Sequence, residues 1–192
     1  MARPTTIDTN QILETARNLF LKRGFSVSTA EIAKTAGISE GSLFKRFPSK
    51  EKLFLASMDL PVFDVDKFLR KKVGENQVEA NLIVLAGALL DFLRIRLPRV
   101  LMLKSNPIET LRSNPSAGPQ EILREIKNYL EEEMKLGRIG TFDSEIFARM
   151  LQGSMVNYVF FELLSGQAHR PEETQAYAEE VVSILLYGAE PR

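Results

Sequence analysis

Residues 28–47 read STAEIAKTAGISEGSLFKRF, and this stretch decides the fold. Its apolar residues recur at spacings of three and four, which is the period of an amphipathic helix. Ser28, followed three positions later by Glu31, has the pattern of a capping box and predicts that a helix begins there. Gly37 predicts the end of that helix, and Ser39 predicts the start of another. The stretch therefore predicts two short helices joined by a tight turn.

Two short helices that cross at a steep angle need a small residue at their contact and a turn that tolerates a left-handed conformation. Ala33 meets the first need and Gly37 meets the second. The apolar residues expected to enclose the shared pocket are Ile32, Ile38, Leu43 and Phe47, with Phe20 from the preceding helix. These features predict a helix-turn-helix, completed by one helix before it and one after it.

The outward side of the second short helix carries small and polar residues, with cations at its end. These residues are Ser39, Glu40, Gly41, Ser42, Lys45 and Arg46. A helix in the major groove of DNA needs short residues where its backbone nears the bases and cations where phosphates flank the groove. The helix N-termini that follow Ser28 and Ser49 would also present free amides to phosphates. The pattern predicts double-stranded DNA as the partner.

The net charge of zero conceals an uneven distribution. Residues 1–60 hold nine Lys and Arg against six Asp and Glu, whereas residues 61–192 hold sixteen against nineteen. Four of the cations, Lys45, Arg46, Lys50 and Lys52, fall within eight positions. The placement of these cations favours a nucleic-acid partner more than the small excess does.

The rest of the chain shows helical spacing and no sustained strand-like alternation. Helices are predicted at 64–72, 78–96, 119–136, 143–165 and 171–187, with Pro98 bending or breaking the chain before a short piece and 112–119 as a loop. The predicted fold is all-α. It has a three-helix helix-turn-helix domain at residues 1–55 and a larger helical domain for ligand binding and dimerisation at residues 56–192.

Composition argues against an enzyme. The chain has no cysteine and one histidine, His169, and it lacks Gly-rich phosphate loops, so no metal or cofactor is expected. The acidic run at 131–133 is interpreted as a solvated face. Residues 1–10 contain no apolar signal segment, and the longest apolar run, 82–90, is shorter than the ~20 residues of a membrane span. The prediction is a cytoplasmic protein with no membrane partner.

Residues 12–55 resemble the DNA-binding domain of the TetR/AcrR family of regulators. The matching pieces are Arg23-Gly24-Phe25, Ile32-Ala33, Ala36-Gly37-Ile38-Ser39, Gly41-Ser42-Leu43-Phe44, and Phe47 followed by Lys50-Glu51-Lys52-Leu53. The resemblance covers about a quarter of the chain; the rest is similar only in length and helical character.

The resemblance implies a role for each matching residue. Ser28, Thr29 and Lys50 would bind phosphates; Glu40, Gly41, Ser42 and Lys45 would face bases; Phe44 and Arg46 would lie on the DNA backbone. The family usually has tyrosine at position 44, so Phe44 loses a hydroxyl contact to phosphate. It often has tyrosine or histidine at position 46, where Arg46 offers a charged contact instead. Operator preference therefore does not transfer from the family.

The predicted helix at 143–165 is apolar on nearly every side, which requires burial on two sides. The resemblance implies that it pairs with the last helix and with their symmetry mates as the four-helix bundle of a homodimer. The expected interface residues are Val156, Phe160, Leu164, Tyr177, Val181, Ile184 and Leu185. The alternative is a monomer in which this helix is fully buried.

The resemblance also implies a cavity for a small hydrophobic effector. The candidate lining residues are Phe68, Leu89, Phe92, Met102, Ile126, Leu151, Met155 and Tyr158, and the candidate polar groups are Asn81, Asp91, Asn157 and His169. Each of these is alternatively a core or structural residue. The hypothesis is a repressor released by its effector, with the helix that begins at Lys50 as the lever between domains. A DNA-binding regulator or activator without a ligand is the alternative.

Overall fold

A computed structural model of the chain describes residues 8–106, 118–166 and 169–188. These residues form α-helices and one short 3-10 turn, Arg70–Lys72, and none of them lies in a β-strand. The helices are α1 Thr9–Arg23, α2 Thr29–Thr35, α3 Glu40–Arg46, α4 Lys50–Ser57, α5 Val78–Ser105, α6 Pro119–Lys135, α7 Ser144–Ser165 and α8 Pro171–Tyr187. The prediction of an all-α fold is confirmed, and most of the 112–119 loop lies outside the described residues.

The described residues divide into two compact units. The first comprises residues 8–60 and 98–106, and the second comprises residues 61–97, 118–166 and 169–188. Each unit has its own hydrophobic core. Helix α5 contributes residues to both units.

The first unit is a small helical domain built around three aromatic rings. The Phe54 ring meets the rings of Phe20 and Phe25 edge-on, with centroids 5.1 and 5.0 Å away. Ile32 and Leu43 from α2 and α3 are buried in the same core, and Ile38 and Phe47 pack against it. The predicted helix-turn-helix pocket is therefore present. Phe25 and Phe54 join it from outside the motif.

The second unit is packed around α6 and α7. Its core takes α5 residues such as Leu85 and Leu89, which are fully buried, and α8 residues such as Val182. Buried apolar area at about 25 cal/mol per Å² is the main favourable term for such a core. Among the described helices, none is long and apolar enough to cross a membrane.

Two predicted boundaries differ from the structure. Helix α5 runs without interruption through Pro98, so the expected separate piece after this proline is wrong. A proline inside a helix costs roughly 3 kcal/mol, which the burial of Leu103 in the first core partly offsets. The expected helix at 64–72 is a series of turns that ends in the 3-10 turn Arg70–Lys72. The backbone bonds from the Phe68 amide to the Val65 carbonyl and from the Lys72 amide to the Leu69 carbonyl span three residues, which is the 3-10 pattern rather than the α-helical one.

Glu133 is fully buried, so the interpretation of residues 131–133 as a solvated face is wrong for this residue. Its Oε1 accepts from the amide of Gly74 at 3.0 Å, and its Oε2 lies 3.2 Å from a guanidinium nitrogen of Arg138. Glu133 follows Ile126, Tyr129 and Leu130 on the core side of α6. That spacing of three and four was a signal in the sequence for its burial.

A neighbouring network holds Asn81, which was a candidate polar group for a ligand. Its Nδ2 donates to the Tyr129 hydroxyl at 3.0 Å and to the carbonyl of Glu75 at 2.9 Å. Burial, with the adjacent Glu133 carboxylate, raises the pKa of Tyr129 to about 12. Asn81 is therefore occupied by structural hydrogen bonds.

Candidate nucleic-acid interface

The turn between α2 and α3 is fixed by one glycine. Gly37 has a φ of +70°, in the left-handed region that favours glycine. Directly after it, the Ile38 amide donates to the carbonyl of Ala33 at 3.0 Å, which closes the end of α2. Ala33 is 2% exposed, so a larger side chain at the helix contact would have to displace its neighbours. Together these residues set the direction of α3.

Serine hydroxyls cap the helices on either side of the turn. Ser28 accepts from the amide of Glu31, and Ser39 accepts from the amide of Ser42, both at 3.2 Å. Such caps stabilise a helix by about 1 kcal/mol each. The predicted capping box is only half right: the Glu31 carboxylate pairs with Arg23 of α1. Glu31 therefore ties α2 to α1.

Helix α3 packs its apolar side against the core and exposes its other side to solvent. Leu43 is buried, whereas Glu40, Gly41, Lys45 and Arg46 are exposed. Ser39 is also exposed, Ser42 is half-buried, and the Phe44 ring is 41% exposed. The predicted DNA-facing residues of this helix are thus accessible to solvent, and all of them except Ser42 are exposed.

Glu40 and Thr29 are joined across the two helices. The Thr29 hydroxyl donates to Glu40 Oε1 at 2.6 Å. Because its proton is used here, the Thr29 side chain has none to donate to a phosphate. The sequence did not reveal this bond, since its partners lie eleven positions apart on different helices.

Lys50 lies at the start of α4 and is held by an aromatic ring. Its Nζ is 4.6 Å from the centroid of Phe25, within the range of a cation–π contact. The adjacent cap is Ser49, whose hydroxyl accepts from the amide of Lys52 at 3.2 Å. Phe25 lies in the matching piece Arg23-Gly24-Phe25, but the sequence did not predict its contact with Lys50.

Lys50→Ala is expected to weaken binding to every duplex by a similar factor, because a lysine on a phosphate carries no sequence information. The slope of log affinity against log salt concentration should fall in magnitude by about one. Fluorescence anisotropy at several salt concentrations measures both. Lys71→Ala, an exposed lysine of the second unit, serves as the control. Weakening confined to one duplex sequence would contradict the phosphate role.

Known proteins share this architecture. FadR from Bacillus subtilis, solved in complex with stearoyl-CoA, is 17% identical with a TM-score of 0.66, over 95% of this chain and 100% of that one. NalD, the secondary repressor of the MexAB-OprM multidrug efflux pump in Pseudomonas aeruginosa, is 19% identical with a TM-score of 0.64, over 93% and 94%. PfmR, a TetR family transcriptional regulator from Thermus thermophilus, is 19% identical with a TM-score of 0.62, over 98% and 100%.

Residues 12–57, which contain the helix-turn-helix, match the family model of bacterial regulatory proteins of the tetR family. This match identifies the helix-turn-helix segment as one of the tetR family. Over the rest of the described residues, the similarity to these solved structures is one of fold.

The second unit holds most of the predicted effector-site residues. Leu89, Ile126, Leu151 and Met155 are fully buried in one core. Phe68, Phe92 and Tyr158 pack against that core and are partly buried. Met102 is not brought together with them, because it packs against the core of the first unit.

An open groove of the second unit gathers three of the candidates. Phe68, Asp91 and His169 line a space of about 460 Å³. Nδ1 of His169 lies 3.3 Å from the hydroxyl of Thr174, and Asp91 pairs with Arg94 at 3.0 Å. The fourth polar candidate, Asn157, is exposed. Among the described residues, no group of three or more His, Cys, Asp or Glu side chains is placed to hold a metal.

Helices α7 and α8 expose large apolar side chains in the single chain. Of the predicted interface residues, Phe160 is 37% exposed, Leu164 66% and Ile184 54%. The others, Val156, Tyr177, Val181 and Leu185, are partly buried against the core. Met150 and Phe161 on α7 are more than half exposed as well. These residues form an apolar face on α7 and α8.

Proposed function

We propose that this chain is a TetR-family regulator, a cytoplasmic homodimeric repressor that binds palindromic operator DNA and is released by a small apolar effector. The observation that carries the proposal is the open surface of α3, where polar groups and cations are held outward by the Gly37 turn and two serine caps. Residues 1–55 would form the DNA-binding domain, and residues 56–192 the effector and dimerisation domain.

The proposed DNA contacts follow the placement of the side chains. Glu40, Gly41, Ser42 and Lys45 face the bases, while Ser28 and Lys50 contact phosphates. Ser39, Phe44 and Arg46 flank the groove. The hydroxyl of Thr29 acts through Glu40, so its contact to phosphate is limited to the backbone amide. The exposure of α3 supports this arrangement.

Dimerisation is supported by the apolar face on α7 and α8. An exposed face of this kind marks an interaction site in a globular protein. A symmetric dimer buries the same face of both copies and carries two reading helices. In the proposed complex these helices enter successive major grooves, about 34 Å apart along the duplex.

Effector binding is supported by the groove at Phe68 and by the apolar core behind it. The groove combines apolar walls with Asp91 and His169, which suits an apolar molecule with one polar group. The neighbour FadR was solved with stearoyl-CoA, a ligand that contains a long apolar chain. The effector must bind the released conformation more tightly than the DNA-bound one, or it shifts nothing.

The structure changes the proposed route of this switch. Helix α4, expected to be shared by both domains, ends at Ser57 inside the first unit. Helix α5 contributes residues to both units and is therefore the proposed lever. A regulator without an effector is the second candidate, and the complete burial of Leu89, Ile126 and Leu151 favours it.

Selection of duplexes from a randomised pool by the full chain tests the proposal. The expected product is a palindrome. Ser42→Ala and Lys45→Ala should each change the preferred base at one position per half-site, by ~1–3 kcal/mol where a good base contact is lost. Lys50→Ala should leave all preferences unchanged. Equal losses on every sequence for all three variants would refute the proposed contacts.

A further inference from the structure

Glu40 is the one carboxylate on α3, a helix whose other charged residues are Lys45 and Arg46. A carboxylate on a surface that approaches DNA is repelled by the phosphates. An acidic residue in the first turn also stabilises a helix. Glu40 also has a fixed orientation, which the stability of the helix does not require.

The orientation of Glu40 comes from Thr29. The O–H···O distance of 2.6 Å is that of a strong, charge-assisted hydrogen bond. Thr29 is half-buried at the first turn of α2, and Glu40 is exposed. The bond engages Oε1 and leaves Oε2 without a partner among the described residues. One acceptor oxygen is thus held in place on the open side of the reading helix.

Only one base edge in the major groove matches a single fixed carboxylate. Cytosine offers its N4 amino group as a donor. Guanine offers acceptors at N7 and O6, and thymine an acceptor at O4. Adenine places its N7 acceptor beside the N6 donor, so it would repel the second carboxylate oxygen. We infer that Glu40 reads a cytosine in each operator half-site, with Thr29 as its positioning residue; this inference rests on the proposed function.

The test uses the full chain and the duplex that the wild-type protein selects from a randomised pool. One cytosine per half-site should be required, and its replacement should weaken binding roughly 5- to 150-fold. Glu40→Gln should transfer the preference at this position to adenine, whose N6 and N7 an amide matches. It should also strengthen binding to scrambled duplexes, because a negative charge is lost. Glu14→Gln on α1 makes the same charge change at an exposed site and should alter no base preference.

Thr29 provides a second arm that does not depend on the behaviour of Glu40→Gln. Thr29→Val removes the hydroxyl at similar size and should reduce discrimination at the cytosine position alone. Thr29→Ser keeps the hydroxyl and should discriminate at this position as the wild type does. Unchanged cytosine preference in both Glu40→Gln and Thr29→Val would overturn the inference and leave the proposed function intact. Selection of no sequence at all by the wild-type chain would instead overturn the proposed function.

Discussion

Phe160→Glu combined with Leu164→Glu is expected to convert the protein from a dimer to a monomer of 21.7 kDa. Both side chains are exposed in the single chain, so the substitution leaves its own core intact. In the proposed dimer it places four carboxylates in an apolar interface. Burying a charge without a partner costs several kcal/mol, which is comparable to the stability of many interfaces.

Loss of the dimer should also abolish tight binding to the operator. Two linked DNA-binding domains bind about 10²- to 10⁴-fold more tightly than one, and the monomer loses this gain in affinity. Light scattering measures the mass, and anisotropy measures operator affinity. Val62→Glu combined with Val84→Glu is the matched control, since each of these valines is 61% exposed and lies outside α7 and α8. A double variant on α7 that keeps twice the chain mass would disprove the interface.

Arg138→Ala is expected to lower the free energy of unfolding by about 3–5 kcal/mol. Glu133 is fully buried, and Arg138 is the cation beside its Oε2. Without it, the carboxylate remains in the core with no cation beside its Oε2, while the Gly74 amide still donates to its Oε1. The free energy of unfolding of a typical domain is about 5–15 kcal/mol, so this loss is a large fraction of it.

The reason for this loss is tested by a second substitution. Glu133→Gln in the Arg138→Ala background removes the unpaired charge and keeps an acceptor for Gly74, so it should recover part of the stability. Urea unfolding followed by circular dichroism measures each variant. Arg149→Ala, which removes an arginine from an exposed pair on α7, should change stability by less than about 1 kcal/mol. A double variant less stable than Arg138→Ala alone would show that the buried charge is not the cause.

The sequence predicted the DNA-binding domain well because its signals are local. The caps at Ser28, Ser39 and Ser49 and the turn at Gly37 depend on residues at most five positions apart, and each lies where it was expected. The starts of α6, α7 and α8 were similarly predicted from Pro119, Asp143 and Pro171.

The failures concern contacts between residues distant in sequence. The period of α6 places Glu133 on the buried side, but it does not reveal its hydrogen-bond partner Gly74, which is 59 positions away. Met102 looks like a member of the effector pocket, yet α5 continues past Pro98 and carries it to the first core. The bond from Thr29 to Glu40 depends on the crossing of two helices. Periodicity reports the face of a helix, and it does not report the partner of that face.

In the proposed complex, the exposed side of α3 reads base sequence in the major groove. A titration of the full chain against its selected duplex, and against a scrambled duplex of equal length and composition, tests it most directly when repeated at two salt concentrations. The expected result is two chains per selected duplex and a preference of at least ~10³ over the scrambled one. Equal affinity for both duplexes at each salt concentration would contradict the claim.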